Sequence, residues 1–386
     1  MINKKTLWRL FAILPFVLLL LSCKRDVQKT NDVLTFDFKQ EPCASPFDVL
    51  ETTFIKLETN DNCLIDKTVV QTESALGKIF ILTGGARTLL VFDRSGKFIT
   101  LVGNRGGGPG EYIVPMSFSI DHRKNVITVI DLAQKKLLDY DLTDYRFIAE
   151  RKAEYDNFCF EYLGDDKIVW KNTDYNSDYA NWSFIVTDRE QKYINGHLEK
   201  DFITGYSTGH TKNIYQLREE VFAYTQYHPV IYRFREDTVV PFCRLNFGKY
   251  KLPPLDYLKK ISENDENFLP ELNRSDYVAY YTIFDAGETF TVFYSVSETP
   301  YIGIYDKRNS RTYAYTQEEF QDKLKIGRID WFSGTVDDYV VAALQPSDLL
   351  QQKNDNYTFH PELQKIVDTS VEDDNPILIL MKVKNY

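Results

Sequence analysis

The run Gly103-Asn104-Arg105-Gly106-Gly107-Gly108-Pro109-Gly110-Glu111-Tyr112, with Val114-Pro115 after it, constrains the fold more than any other feature of the chain. It separates two stretches that read alike. Lys78 to Phe98 gives strand, turn, strand, turn, and Asn125 to Ile148 gives the same order. A glycine-rich crossing between two such units sets a period, and the period points to a repeated four-stranded blade rather than to a catalytic motif.

The first unit holds Lys78-Ile79-Phe80-Ile81-Leu82, Leu89-Leu90-Val91-Phe92-Asp93 and Phe98-Ile99-Thr100-Leu101, with Arg94-Ser95-Gly96-Lys97 as a turn. The second holds Asn125 to Asp131, Lys136 to Asp141, and Tyr145 to Glu150. Four weaker units follow. They are Lys167–Trp170 with Trp182–Asp188, Glu220–Tyr224 with Val230–Phe234, Thr289–Tyr294 with Tyr301–Asp306, and Tyr339–Ala343 with Ile377–Val383. Unit spacings of roughly 40 to 70 residues suit propeller blades with insertions. The expected architecture is therefore all-β, a six-bladed β-propeller with short helical insertions.

Phe54-Ile55-Lys56-Leu57, upstream of the first unit, is expected to lend a strand to the last blade and so close the ring. Leu255 to Asn267, Tyr315 to Leu324 and Glu362 to Val367 have helical spacing and are read as insertions decorating one rim.

Lys4, Lys5 and Arg9 precede the apolar run Leu10 to Leu21, which stops at Ser22-Cys23. A basic start, a short apolar core and a small residue before the cut make a secretory signal, too short for a spanning helix. Leu20-Leu21-Ser22-Cys23 also resembles a bacterial lipobox, which implies cleavage before Cys23 and diacylglycerol on its sulfur. The expected organisation is a signal peptide over 1–22, a tether over 23–33, and the propeller over 34–386. The expected address is the bacterial outer membrane through that lipid anchor, at its periplasmic face or the cell surface. Lys24 and Arg25 stand where an acidic export cluster would lie, so the sequence leaves the two faces open.

The chain carries 46 Lys and Arg against 56 Asp and Glu, a formal charge of -10. Residues 1–22 hold three bases and no acid, so their removal leaves -13. An acidic surface excludes nucleic acid, which needs a basic face. Cys43, Cys63, Cys159 and Cys243 remain after lipidation, without C-x-x-C spacing. Buried thiols are favoured, with a Cys43–Cys63 disulfide as the alternative.

Gly108-Pro109-Gly110-Glu111-Tyr112 with Pro115, then Ile120-Asp121, Val129-Ile130-Asp131 and Leu137-Leu138-Asp139-Tyr140, resembles an NHL-type repeat. With Phe54 to Thr59 and Val91 to Phe98 added, the chain resembles the six-bladed β-propeller lipoproteins of Bacteroidetes, most tightly over residues 50 to 150. The resemblance implies a propeller fold and an envelope location and carries no catalytic residue over.

In the motif itself, Gly106 to Gly108 and Gly110 would permit positive φ where the chain crosses between blades. Glu111 could accept backbone N–H bonds and Tyr112 could pack between blades. The functional alternative places the loop at the central channel, with Arg105, Glu111 and Tyr112 facing a ligand. The run lacks the Lys-Ser or Lys-Thr of a P-loop. Gly205-Tyr206-Ser207-Thr208-Gly209 matches a nucleophile elbow only in letters, because no α/β sheet is expected around it. The histidines never fall at metal-ligand spacing. Propeller enzymes gather ligands one per blade, however, which leaves room for a channel Ca²⁺ with Asp131, His228 and Asp285 as members. Asp174, Tyr175, Tyr179 and Trp182 form an aromatic and acidic patch suited to sugar or peptide contact, or to packing between blades.

The leading functional expectation is an envelope lipoprotein whose propeller is a binding module, without catalytic residues and without a resident cofactor. Arg105, Glu111, Tyr112, Tyr179, Trp182 and His228 are its candidate contacts, and a glycan, a peptide or an envelope protein its candidate partner. The alternative is a metal-dependent enzyme of the lactonase or lyase type.

Overall fold

Strand ends in this chain are set by aspartate. Asp93 Oδ1 accepts from the backbone N–H groups of Ser95 at 2.8 Å and Lys97 at 3.0 Å. Asp141 does the same for Thr143 and Asp144, Asp188 for Lys192, and Asp306 for Arg308 and Asn309. A short carboxylate that takes up the free donors of a turn makes a tight hairpin out of two neighbouring strands.

The computed structural model describes residues 32–35 and 44–385, apart from 67, 86, 156–158, 173–176, 203–211, 237, 264 and 330–331. One compact unit runs from Val33 to Tyr386. Its strands form six four-stranded antiparallel meanders, blades 1 to 6 in chain order, with the inner strands of blades 1 and 6 joined by a parallel bridge between Thr72 and Gly334. From inner to outer strand, blade 1 is Val69–Ala75, Lys78–Thr83, Leu89–Asp93 and Phe98–Leu101. Blade 2 is Pro115–Asp121, Val126–Asp131, Lys136–Asp141 and Phe147–Lys152. Blades 3, 4 and 5 follow the same meander over 160–199, 214–246 and 278–316, with Asp32–Thr35 pairing outside the last strand of blade 4.

Blade 6 takes three strands from the C-terminus and one from the N-terminus. Phe332–Val336, Tyr339–Leu344 and Ile377–Val383 are completed by Leu50–Lys56. Leu50 pairs with Val383 and Lys56 with Ile377, in unbroken antiparallel register over seven residues. The upstream strand therefore closes the ring, and covers an edge that would otherwise be exposed and apolar.

The middle strands read as nearly continuous apolar runs because each blade is covered on both faces. Ile79, Phe80 and Ile81 are all fully buried, as are Ile127 and Val129. Blades 1 to 4 share a bulge between the third and outermost strands, at Val91/Phe92, Asp139/Tyr140, Val186/Thr187 and Ile231/Tyr232. In blades 1 to 3 the bulge falls just before the aspartate that ends the third strand, in blade 4 nearer that strand's start, and it sharpens the twist of each outer edge. Blades 5 and 6 lack it.

Inner strands clip neighbouring blades together with polar side chains. The Gln71 amide donates to the Phe118 carbonyl at 2.7 Å, joining blades 1 and 2, and Thr72 Oγ1 meets Ser333 Oγ at 2.9 Å, joining blades 1 and 6. At that last junction Gly334, with φ +154°, lies so close to Thr72 that a Cβ would strike its backbone.

The expected helix over Leu255 to Asn267 is two helices, Leu255–Ser262 and Asp265–Arg274, packed against Phe202 and Ala279. Gln317–Leu324 begins two residues later than read, because Thr316 ends a strand and then caps the helix by accepting from the Glu319 N–H. Pro361–Val367 is present, and Pro346–Asn354 is a helix not foreseen. Phe320, Leu349 and Leu363 from these last three helices join one core with the strands of blades 5 and 6.

Candidate functional site

The glycine-rich run leaves the outer strand of blade 1 and reaches the inner strand of blade 2, and its residues divide the work. Asn104 and Arg105 pair in parallel with Glu111 and Tyr112, and the Gly106 N–H donates to the Tyr112 carbonyl at 2.9 Å. Glu111 Oε2 accepts from the Gly108 N–H at 2.8 Å. Gly103 and Gly110 take positive φ, +70° and +71°. Gly106 to Gly108 do not, which corrects the sequence expectation. Gly106 and Gly108 are small because the Glu111 carboxylate lies where a side chain would stand.

Two buried anchors hold this loop. Asp131, fully buried, accepts from the Ile113 and Val114 N–H groups at 2.8 and 3.0 Å, and the Gln134 amide donates to the Glu111 carbonyl at 3.0 Å. Tyr112 is also fully buried and its hydroxyl accepts from the Leu89 N–H at 3.2 Å, which ties the loop to blade 1. Burial pushes the Tyr112 hydroxyl up to about 12. Tyr140 donates to the Gly110 carbonyl at 3.1 Å.

Between this loop and the outer strands of blades 1 and 2 lies an open groove of 520 Å³. Phe98 to Leu101 form one wall, Tyr145 and Phe147 the other, and Asn104, Pro109 and Glu111 the end, with Asn62 at the margin. It opens beside the outermost strands of the sheets rather than at the central channel. Its three partly buried rings are each braced edge-on by a buried one. Phe98 meets Phe92 at 5.8 Å, Tyr145 meets Phe80 at 6.2 Å, and Phe147 meets Tyr140 at 6.0 Å.

Charged side chains from several blades meet across the channel. Lys212, just before the inner strand of blade 4, places Nζ 2.6 Å from Glu73 of blade 1 and 2.7 Å from Glu161 of blade 3. Blades 1 and 4 face each other across a six-membered ring, so Lys212 spans it. Ser119 of blade 2 donates to Glu161 at 2.7 Å, and Gln71 donates to Glu73 at 2.7 Å. Burial raises the Glu161 carboxyl above its ordinary value although Lys212 opposes this, and Glu73 adds to the rise. Burial alone would lower the Lys212 ammonium; the Glu161 and Glu73 carboxylates instead hold it well above the usual lysine value. The sequence reading missed all five of these residues. No local signal marked them: Val69–Ala75 runs Val-Val-Gln-Thr-Glu-Ser-Ala, with four polar residues in a row.

Of the sequence-derived candidates, Glu111 lines the groove, Arg105 is exposed on the loop, and Tyr112 is buried behind it. The structure does not bring the others there. Tyr179 stacks on Tyr193 at 4.2 Å, and Trp182 packs beside it in blade 3, both carbonyls accepting from the Asn172 amide. His228 is half-buried in blade 4 beside Tyr232, and burial lowers its pKa. Asp174, Tyr175, Ser207, His210, Cys23 and Cys43 lie outside the described residues. Cys63, Cys159 and Cys243 are buried thiols. Asp131 is committed to the loop and Asp285 to Lys307 at 2.5 Å, and among the described residues no three His, Cys, Asp or Glu side chains gather as a metal site requires.

Six blades around a channel, closed by an N-terminal strand, define a six-bladed β-propeller. The chain matches the DUF5128 family, described as a 6-bladed beta-propeller, over residues 24–343, and belongs to it. It is 36% identical to a Bacteroides fragilis protein named "Putative exported protein", with a TM-score of 0.87 over 92% of this chain and 100% of that one. A member of the duf4221 family from Bacteroides vulgatus shares the fold at 9% identity and a TM-score of 0.51, over 88% of this chain and 99% of that one. Comparison with curated proteins gives no match.

Proposed function

We propose that this protein is an envelope lipoprotein, anchored through lipid on Cys23, whose propeller binds a ligand or partner in the groove between blades 1 and 2. The observation that carries this reading is the groove itself. Its 520 Å³ falls within the roughly 300–1,000 Å³ common for ligand sites. Its walls are outer strands, and its end is a loop anchored by Asp131, Gln134 and Tyr112, so the site is formed in advance and binding would cost little ordering. The channel is a poorer candidate, because its Lys212, Glu73 and Glu161 are already paired with one another.

The envelope address is supported by the N-terminal signal with its lipobox-like Cys23 and by the exported name of the Bacteroides fragilis protein. Among the described residues no helix is long and apolar enough to cross a membrane. The NHL-type reading of the repeat rests on the Gly108–Tyr112 motif and the strands after it.

Two experiments test the reading. Labelled palmitate should enter the full-length protein and not Cys23→Ala; labelling of both would remove the anchor. For the groove, glycan and peptide arrays probed with the chain from Asp26 onward should give ligands that Asn104→Trp abolishes at unchanged thermal stability. Asn104 is exposed at the groove's end, so the indole fills the site without touching the core. Ligands that bind Asn104→Trp as well as the parent would place the site elsewhere.

A further inference from the structure

Resting on the groove as the binding site, we infer that its ligand is a neutral carbohydrate chain. The lining residues include no Lys, Arg or His, and their one carboxylate, Glu111, is held by the Gly108 N–H. Among the lining residues an anionic ligand would find no cation, the exposed Lys97, Arg105 and Arg146 standing one residue outside the lining, on a protein that is itself strongly acidic. Phosphorylated, carboxylated and sulfated ligands are disfavoured on this ground.

The rings supply the second argument. Phe98, Tyr145 and Phe147 are partly exposed and cannot turn freely, because each is packed edge-on against a buried ring. Gly110 has no side chain because Phe147 occupies that space. Rigid aromatic surfaces at fixed positions recognise flat apolar patches separated by polar edges, which describes the C–H faces and hydroxyl rims of a sugar chain.

The polar groups match the rims. Asn62 and Asn104 present exposed amides, each with donors and an acceptor, and Thr100 lies on the strand between the rings. An apolar peptide would leave these groups unpaired, and a basic one would have only the engaged Glu111 to meet.

The test is titration of the chain from Asp26 onward with maltohexaose, cellohexaose, chitohexaose, oligogalacturonate and a lysine–alanine decapeptide, each followed by hydrogen exchange. A neutral oligosaccharide is expected to bind and to protect residues 98–112 and 145–148. Asn104→Ala and Asn62→Ala, both exposed changes, should weaken it several-fold, and Phe147→Ala at least tenfold if that variant keeps its fold. Oligogalacturonate should bind at least tenfold more weakly than the best neutral chain. If the decapeptide or oligogalacturonate protects the groove and no neutral sugar does, the carbohydrate inference falls while the groove stands. If sugars bind and protect other segments, or no probe protects this one, both fall.

Discussion

Replacing Lys212 by methionine keeps the length of the side chain and removes its charge from between Glu73 and Glu161. The contacts at 2.6 and 2.7 Å each carry roughly 6 kcal/mol of gross attraction at an effective dielectric constant of about 20. Desolvation of the three groups offsets most of that, and breaking a buried pair from one side typically costs about 3–5 kcal/mol. The Lys212 side chain retains 28% exposure, which places the expected loss near the lower end, about 3 kcal/mol at pH 7.5. Urea unfolding of the chain from Asp26 onward, followed by circular dichroism, reads it directly. The loss should shrink towards pH 4.5, where the Glu161 carboxyl, raised by burial, is protonated and no longer needs a cation. Adding Glu161→Gln to Lys212→Met should restore at least half of it, since Gln still accepts from Ser119 and one anion is gone. A loss below about 0.5 kcal/mol, or one equal at pH 5 and pH 8, would refute the bridging role of Lys212.

Four further outcomes are expected. Gly334→Ala drives a Cβ into the Thr72 backbone where blade 6 meets blade 1, and should cost about 2–3 kcal/mol in the same urea assay. Asn375→Ala leaves the Ile65 N–H and the Glu58 and Cys63 carbonyls without their partner, for a loss of about 3 kcal/mol. The Glu161 carboxyl, raised in the native state, contributes stability below its unfolded value near 4.5 and loses it as pH rises towards the raised one. The parent should therefore lose stability relative to Glu161→Gln as pH rises from 4.5, measured as the difference between their urea midpoints. Deleting residues 44–57 removes the closing strand and bares Ile377–Val383, so light scattering should show more aggregation than for the parent chain under the same conditions.

The middle strands could be found in the sequence because blades cover both their faces. Ile79 to Leu82 and Leu89 to Phe92 are apolar without a break for that reason, and the aspartates after them mark the turns. The inner strands could not. Val69–Ala75 faces the channel and carries Gln71, Thr72, Glu73 and Ser74 in a row, so it looks like a loop until the ring is assembled. Helix Pro346–Asn354 has only Leu349 and Leu350 as apolar residues and no periodic stripe; Pro346 at its start was the available signal. In the glycine-rich run the residues were legible and their reasons were not. Backbone conformation requires glycine at 103 and 110, whereas at 106 a side chain would displace the Glu111 carboxylate that holds the loop.

Strand spacing, turn chemistry and the upstream strand determined six blades and their closure, because these depend on neighbours within about a dozen residues or on a repeated pattern. What lies between blades was decided only by the tertiary structure. Ser119 reaches Glu161 across 42 residues and Lys212 reaches Glu73 across 139, and nothing local ties such partners together. The groove has the same origin. Phe98 belongs to one blade, Phe147 to the next, and Glu111 to the crossing between them, so the site exists only once blade packing has set the three side by side.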